Sequence, residues 1–153
     1  MKLSKRSEYG IRALIALASG EGEPLLQIKE IAAREQIPVK FLEQILLTLK
    51  NAGLVNSRLG SSGGYYLTKP ADQVSLGQII RILDGPLAPI RCVSQMAYEK
   101  CACPDEETCG LRMVMLDVRN AISGILDHTS LADVARRVET VRQDLAYEEQ
   151  RSD

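Results

Sequence analysis

At 153 residues the chain is long enough for one domain with a sizeable core, and its hydrophobic (45%) and charged (25%) fractions are those of a globular protein. No apolar run approaches the roughly 20 residues that a membrane span needs, so a membrane-crossing helix is not expected. The net charge of −1 conceals an asymmetry: residues 1–69 carry ten Lys/Arg against six Asp/Glu, and residues 70–153 carry nine against fourteen. A basic front half suits an anionic partner, and an acidic back half does not.

Residues 4–19 place Ile11, Leu14, Ile15, Leu17 and Ala18 on one stripe of a helix, with Ser4 or Ser7 as its cap. Arg12 interrupts the apolar stretch, so the segment reads as an amphipathic helix and not as a secretory leader. EGEP at 21–24 breaks it, and 25–36 predicts a short second helix through Ile28, Ile31 and Ala32. A third helix over 37–55 opens near Pro38 and runs through Phe41, Leu42, Ile45, Leu46 and Leu49. It stops at Asn51-Ala52-Gly53, where Gly53 takes the left-handed cap. The period then changes: LVNSRL at 54–59 and YYLTK at 65–69 alternate about GSSGG, which is a hairpin. Two short helices, a longer third and a Gly-rich hairpin are the order of a winged helix-turn-helix, mainly α with a small β wing. The winged unit is expected over 1–84, with the wing at about 54–69 and a fourth helix at 75–84 capped by Ser75.

A cysteine-bearing loop, 85–110, comes next. Beyond it, Leu111, Met115, Val118, Ile122 and Ile125 form a heptad-like seam on one long helix. A domain this small has little surface to cover such a stripe and needs twofold symmetry to read DNA, so the seam predicts a homodimer contact, with intrachain packing as the alternative. Residues 111–140 are expected to hold this dimerisation helix and a short C-terminal helix, and 141–153 a polar tail that frays.

In a winged fold the third helix enters the major groove and the wing touches backbone or minor groove. Lys40, Glu43 and Gln44 fall off the apolar stripe near the start of that helix. Lys donates to guanine and Gln pairs with adenine; Glu43 accepts from cytosine unless it is an ordinary solvated residue. In the wing, Arg58 suits a narrow minor groove, and Ser61, Gly63, Gly64 and Tyr65 offer polar atoms and backbone amides to phosphate. A tight hairpin needs such glycines with or without DNA. Lys2, Lys5, Arg6 and Arg12 would add phosphate contacts that set affinity without reading bases. The expected partner is double-stranded DNA with a near-palindromic operator.

All four cysteines, Cys92, Cys101, Cys103 and Cys109, lie within residues 91–112. The expected compartment is the cytoplasm, where a disulfide framework is disfavoured and a regulatory disulfide is not. The spacing C-x₈-C-x-C-x₅-C lacks the two short clamps of structural zinc. An iron–sulfur cluster tolerates irregular spacing because loop backbone wraps a larger inorganic core. Asp105, Glu106 and Glu107 repel one another, which predicts that the loop needs a bound group to order it. An enzyme finds little to build on. The single histidine, His128, ends the seam helix and complements its dipole, and neither a Gly-rich nucleotide loop nor C-x₂-C is present.

Taken together, MKLSKRSEYGIRAL, EQILLTLKNAGLV, RLGSSGGYYLTKP, the cysteine loop and the helix ending in HTSLADV resemble the IscR/NsrR family of winged-helix regulators, over about residues 1–138. The resemblance implies a homodimeric transcription factor whose DNA affinity follows the state of an iron–sulfur cluster, [2Fe–2S] favoured over [4Fe–4S], sensing iron–sulfur, redox or nitric oxide status. A clusterless thiol switch on the same scaffold is the alternative, and a Cys-dependent enzyme a remote one. By resemblance Cys92 and Cys109 are the first and last cysteine ligands, Cys103 the middle one, and Cys101 its alternative. The fourth ligand stays open. Arg112 stands where IscR-like members place a histidine, and it cannot coordinate. NsrR-like members use an acidic residue of the first helix reaching across the dimer; Glu8 holds that place, and a fourth cysteine, Cys101, is the other choice.

Overall fold

The computed structural model describes residues 2–19 and 25–152, so the break expected at 21–24 lies outside them. Ser4 caps the first helix, α1 (Lys5–Ala18), its Oγ accepting from the Ser7 amide at 3.1 Å. The buried face of α1 is rotated from the expected stripe. Gly10, Ala13, Leu14, Ala16 and Leu17 are buried, while Ile11, Ile15 and Ala18 flank the core half-exposed. Close approach is the reason: a Cβ on Gly10 would collide with Leu83 and stand 3.3 Å from Ile45, so small residues occupy the crossing.

The second helix, α2 (Ile28–Glu35), starts later than its apolar residues suggest. Leu26 lies in extended backbone, exchanging amide-to-carbonyl bonds of 3.1 and 2.8 Å with Tyr65, and Gln27 and Glu30 close a capping box behind it. After a left-handed Gln36 the chain turns into α3 (Val39–Asn51), with Pro38 at the cap position. α3 ends as expected at Gly53 (φ +80°), whose amide donates to Lys50, while the Leu54 amide donates to Leu49, both at 3.0 Å. These are the two bonds of a Schellman stop. The wing is β1 (Val55–Arg58) antiparallel to β2 (Gly64–Leu67), with Val55 opposite Leu67 and Arg58 opposite Gly64. Leu26 adds a single bridge on the other side of β2.

One core joins these elements: Leu14 and Leu17 of α1, Ile31 of α2, Leu42, Ile45, Leu46 and Leu49 of α3, Val55 of β1, and Ile79 and Leu83 of α4 (Leu76–Asp84). Ser75 caps α4, its Oγ accepting from the Gln78 amide at 3.2 Å. Beyond the cysteine loop, α5 (Gly110–Asp127) packs on α4 and on the short Arg91–Val93 turn, and buries none of its residues fully. On the expected seam Leu111, Val118 and Ile125 are exposed, but Met115 and Ile122 are half-buried; the open stripe instead includes Val114. α5 ends at His128, whose Nδ1 lies 2.9 Å from the Gly124 carbonyl.

The C-terminal segment departs from expectation. α6 (Leu131–Ser152) is a helix of 22 residues that takes in most of the tail expected to fray. Ser130 and Asp133 cap it reciprocally, with bonds of 2.9 and 3.1 Å, and local partners continue it: Gln143 donates to Glu139 at 3.0 Å, and Arg151 lies 5.8 Å from the Tyr147 ring. Leu131 is fully buried in the winged core, a contribution of about 2 kcal/mol that anchors α6 at its first turn. Two backbone bonds of 2.9 Å, Leu131 to Val74 and Leu76 to Thr129, fix that anchor. No described helix is long and apolar enough to cross a membrane.

Candidate functional site

The loop before α5 satisfies its own charges, contrary to the expectation that its carboxylates leave it unordered. Asp105 accepts from the Glu107 amide at 3.0 Å and the Thr108 hydroxyl at 2.8 Å, and these bonds hold its carboxyl below the usual range. Tyr98 donates its hydroxyl to Glu106 at 2.7 Å, and Arg91 pairs with Glu99 at 2.6 Å. Arg112 Nε stands 3.4 Å from Glu106 Oε1. Donors from both ends of the loop, not spacing among the acids, decide its path.

That path gathers the sulfur. Cys92 is buried in the Arg91–Val93 turn, and its Sγ, Cys101 Sγ and a Glu106 carboxylate oxygen all lie within 4.8 Å of one another. Cys103 is exposed and adjoins both Cys101 and Cys109. Cys109 caps α5, its Sγ accepting from the Arg112 amide at 3.5 Å. All four are free thiols. Burial pushes the Cys92 thiol up. Hydrogen bonding with Cys101 pushes Cys103 up to about 11, while the same contact lowers Cys101. Soft sulfur donors converging from one loop fit an iron–sulfur core.

Cys101, not Cys103, is the neighbour of Cys92. Within one chain Glu8 pairs on its own helix with Lys5 at 2.7 Å, while its expected reach is to the loop of a second copy. Glu106 escaped the sequence reading because its place beside the thiols depends on Tyr98 and Arg112, which no local period relates to it.

Away from the core, α3 exposes Lys40, Glu43 and Gln44 as expected, together with Leu47. Lys50 donates to Ser57 Oγ at 2.9 Å and ties the helix to the wing. Arg6 is half-buried and donates to Thr48 at 2.5 Å, bracing α1 against α3. Arg12 is committed to the end of α2, donating to the Glu35 carboxylate at 3.2 Å and to its carbonyl. Lys2 and Lys5 stay at the surface. In the wing, Arg58 is exposed with its guanidinium 5.7 Å from the Tyr66 ring, and Ser61 is exposed with its carbonyl accepting from Gln27 at 2.9 Å. Gly63 is buried and its amide donates to Gly60 at 3.1 Å, so that donor is taken up within the turn. A Cβ on Gly64 (φ +150°) would stand 2.7 Å from the Leu26 carbonyl, and Tyr65 packs half-buried against the core. These three residues build the wing.

Comparison with known proteins agrees with this arrangement. The model of the Rrf2 family, described as an iron-dependent transcriptional regulator, matches residues 3–137. An rrf2-like HTH-type transcriptional regulator of Rhodobacter capsulatus is 39% identical over 136 residues, covering 86% of this chain and 91% of that one. Among solved structures, CymR, the global cysteine regulator of B. subtilis, superimposes with a TM-score of 0.76 at 34% identity, covering 90% of this chain and 98% of its own. IscR of T. potens gives 0.72 at 30% identity, covering 92% and 90%. These relatives are regulators of transcription and not enzymes. With its three-helix unit, hairpin wing, cysteine loop and long following helix, the chain belongs to the Rrf2 family of DNA-binding transcriptional regulators.

Proposed function

We propose that the chain is a homodimeric cytoplasmic regulator whose affinity for a near-palindromic operator is set by an iron–sulfur cluster, [2Fe–2S] in preference to [4Fe–4S], in the Cys92–Cys109 loop. The observation that carries this reading is the gathering of Cys92, Cys101, Cys103 and Cys109 in one loop joined directly to the start of α5. Cys92, Cys101 and Cys109 would hold the cluster; the nearness of Cys101 to Cys92 supports it as the middle ligand over Cys103. Such a group supplies chemistry sensitive to oxidant and nitric oxide.

The chain's own contacts supply the coupling. Cys109 caps α5, so its sulfur is part of the helix's first turn. At the other end Arg81 of α4 grips Asp127 with a two-pronged bond, 2.5 and 2.9 Å. Asp84 at the end of α4 accepts from the Ser4 amide at 3.0 Å, and Arg6 braces α1 to the reading helix α3. A change in loop order therefore reaches α3 through side chains that each have one tight partner. The apolar stripe of α5 supports a twofold contact, and twofold readers tolerate little error in half-site spacing.

Anaerobic purification, an absorption spectrum, and iron and sulfide assays test the reading, followed by DNA binding of loaded and stripped protein. Visible bands and an affinity difference of about tenfold are expected; equal affinity refutes it. A thiol switch is the second reading, favoured by the exposure of Cys103 beside Cys101 and Cys109. Colourless protein whose DNA affinity changes with a peroxide-formed disulfide would establish that instead.

A further inference from the structure

We propose that Glu106 is the oxygen ligand of the metal group in this loop, with Tyr98 and Arg112 as the residues that position it; the proposal rests on the cluster reading above. One Glu106 oxygen lies within 4.8 Å of both Cys92 Sγ and Cys101 Sγ, which lie within that distance of each other. Three donors that are anionic when metal is bound thus surround one point. The Glu106 side chain is only 20% exposed. When the two thiols are deprotonated, a bound metal cation would offset the repulsion among the three anions.

The carboxylate is aimed, not loose. Tyr98 donates its hydroxyl at 2.8 and 2.7 Å to the two oxygens. Arg112 approaches Oε1 at 3.4 Å without a directed hydrogen bond from Nε. Lone pairs on the carboxylate therefore remain for a metal. Such outer partners orient ligands and raise affinity about 10- to 100-fold. On metal uptake the thiol protons leave to solvent and the carboxylate binds as the anion. Cys92 and Cys101 with Glu106 make two soft donors and one hard one about that point, and Cys109 at the cap of α5 would complete the set.

The test reconstitutes the full chain anaerobically with ferrous iron and sulfide, comparing wild type with Glu106→Gln, Glu106→Cys, Glu8→Ala and Tyr98→Phe. Iron content, visible absorption, electron paramagnetic resonance of the reduced state and iron loss to a chelator are read, with circular dichroism to check the helices. Glu106→Cys should keep its colour with shifted bands and g-values, because sulfur replaces oxygen at one iron. Glu106→Gln and Tyr98→Phe should lose iron about tenfold faster, and Glu8→Ala should match wild type. Wild-type spectra and iron loss in both Glu106 variants overturn the assignment, as does loss of all colour from both, since cysteine would then have failed to replace the carboxylate. Wild type that takes up no cluster refutes the cluster reading itself, which separates the two failures.

Discussion

Ile125→Asp tests the twofold contact on α5. Ile125 is 67% exposed and lies on the stripe with Leu111, Val114 and Val118. Burying an isoleucine side chain fully contributes about 2–3 kcal/mol, so covering the open two-thirds is worth roughly 1.5–2 kcal/mol. A symmetric interface contains the residue twice, giving about 3–4 kcal/mol per dimer before the cost of stranding two carboxylates. The dimer Kd should rise at least about 100-fold. Sedimentation velocity over a dilution series reads this directly, with binding to whole and half operators in parallel. Leu59→Asp is the control: Leu59 is 98% exposed, but it sits at the wing turn, so its replacement should leave the dimer intact. An Ile125→Asp protein that dimerises with wild-type Kd would show that the stripe is not the interface.

Cys101→Ala should abolish the visible bands of anaerobically purified protein while Cys103→Ala keeps most of them; the reverse outcome would return Cys103 to the middle position. Gly64→Ala forces a Cβ against the Leu26 carbonyl at positive φ and should cost about 1–3 kcal/mol, read as a lower urea midpoint. Arg81 holds the Asp127 carboxyl below its ordinary range, chiefly by hydrogen bonding. That stabilisation is complete above the unfolded pKa of about 3.9 and is lost as pH falls through the lower native value. Asp127→Asn should therefore be less stable than wild type at pH 6, with the gap closing in strong acid, as thermal melts at several pH values will show. Gln44→Ala should relax base preference more than it weakens overall binding; equal losses on all sequences in a competition assay would assign Gln44 to the backbone.

How much of this was legible in sequence depends on how local each signal is. Ser4, Ser75 and Gly53 mark helix ends through bonds to residues a few positions away, and the structure uses all three as expected. Alternation about GSSGG specified a hairpin because strand period and turn residues are read within a dozen positions. Failures came where distant segments meet. The α1 face differs from the expected stripe because Gly10 carries no hydrophobic signal, yet it permits the approach of Leu83 of α4. Leu26 looked helical because its strand partner, Tyr65, is remote. The tail of α6 looked too polar to hold, but a docked first turn at Leu131 and side-chain partners along the helix extend it.

By itself the sequence determined the order and type of the elements, the winged unit among them, and the confinement of all sulfur to one loop, since caps, periods and residue identity are local properties. Tertiary structure alone decided that Cys101 meets Cys92, that Glu106 joins them, and that Arg6 and Arg12 are braces within the fold. Those outcomes depend on the path of an irregular loop and on which distant side chains reach one another, and neither is encoded in any repeating pattern.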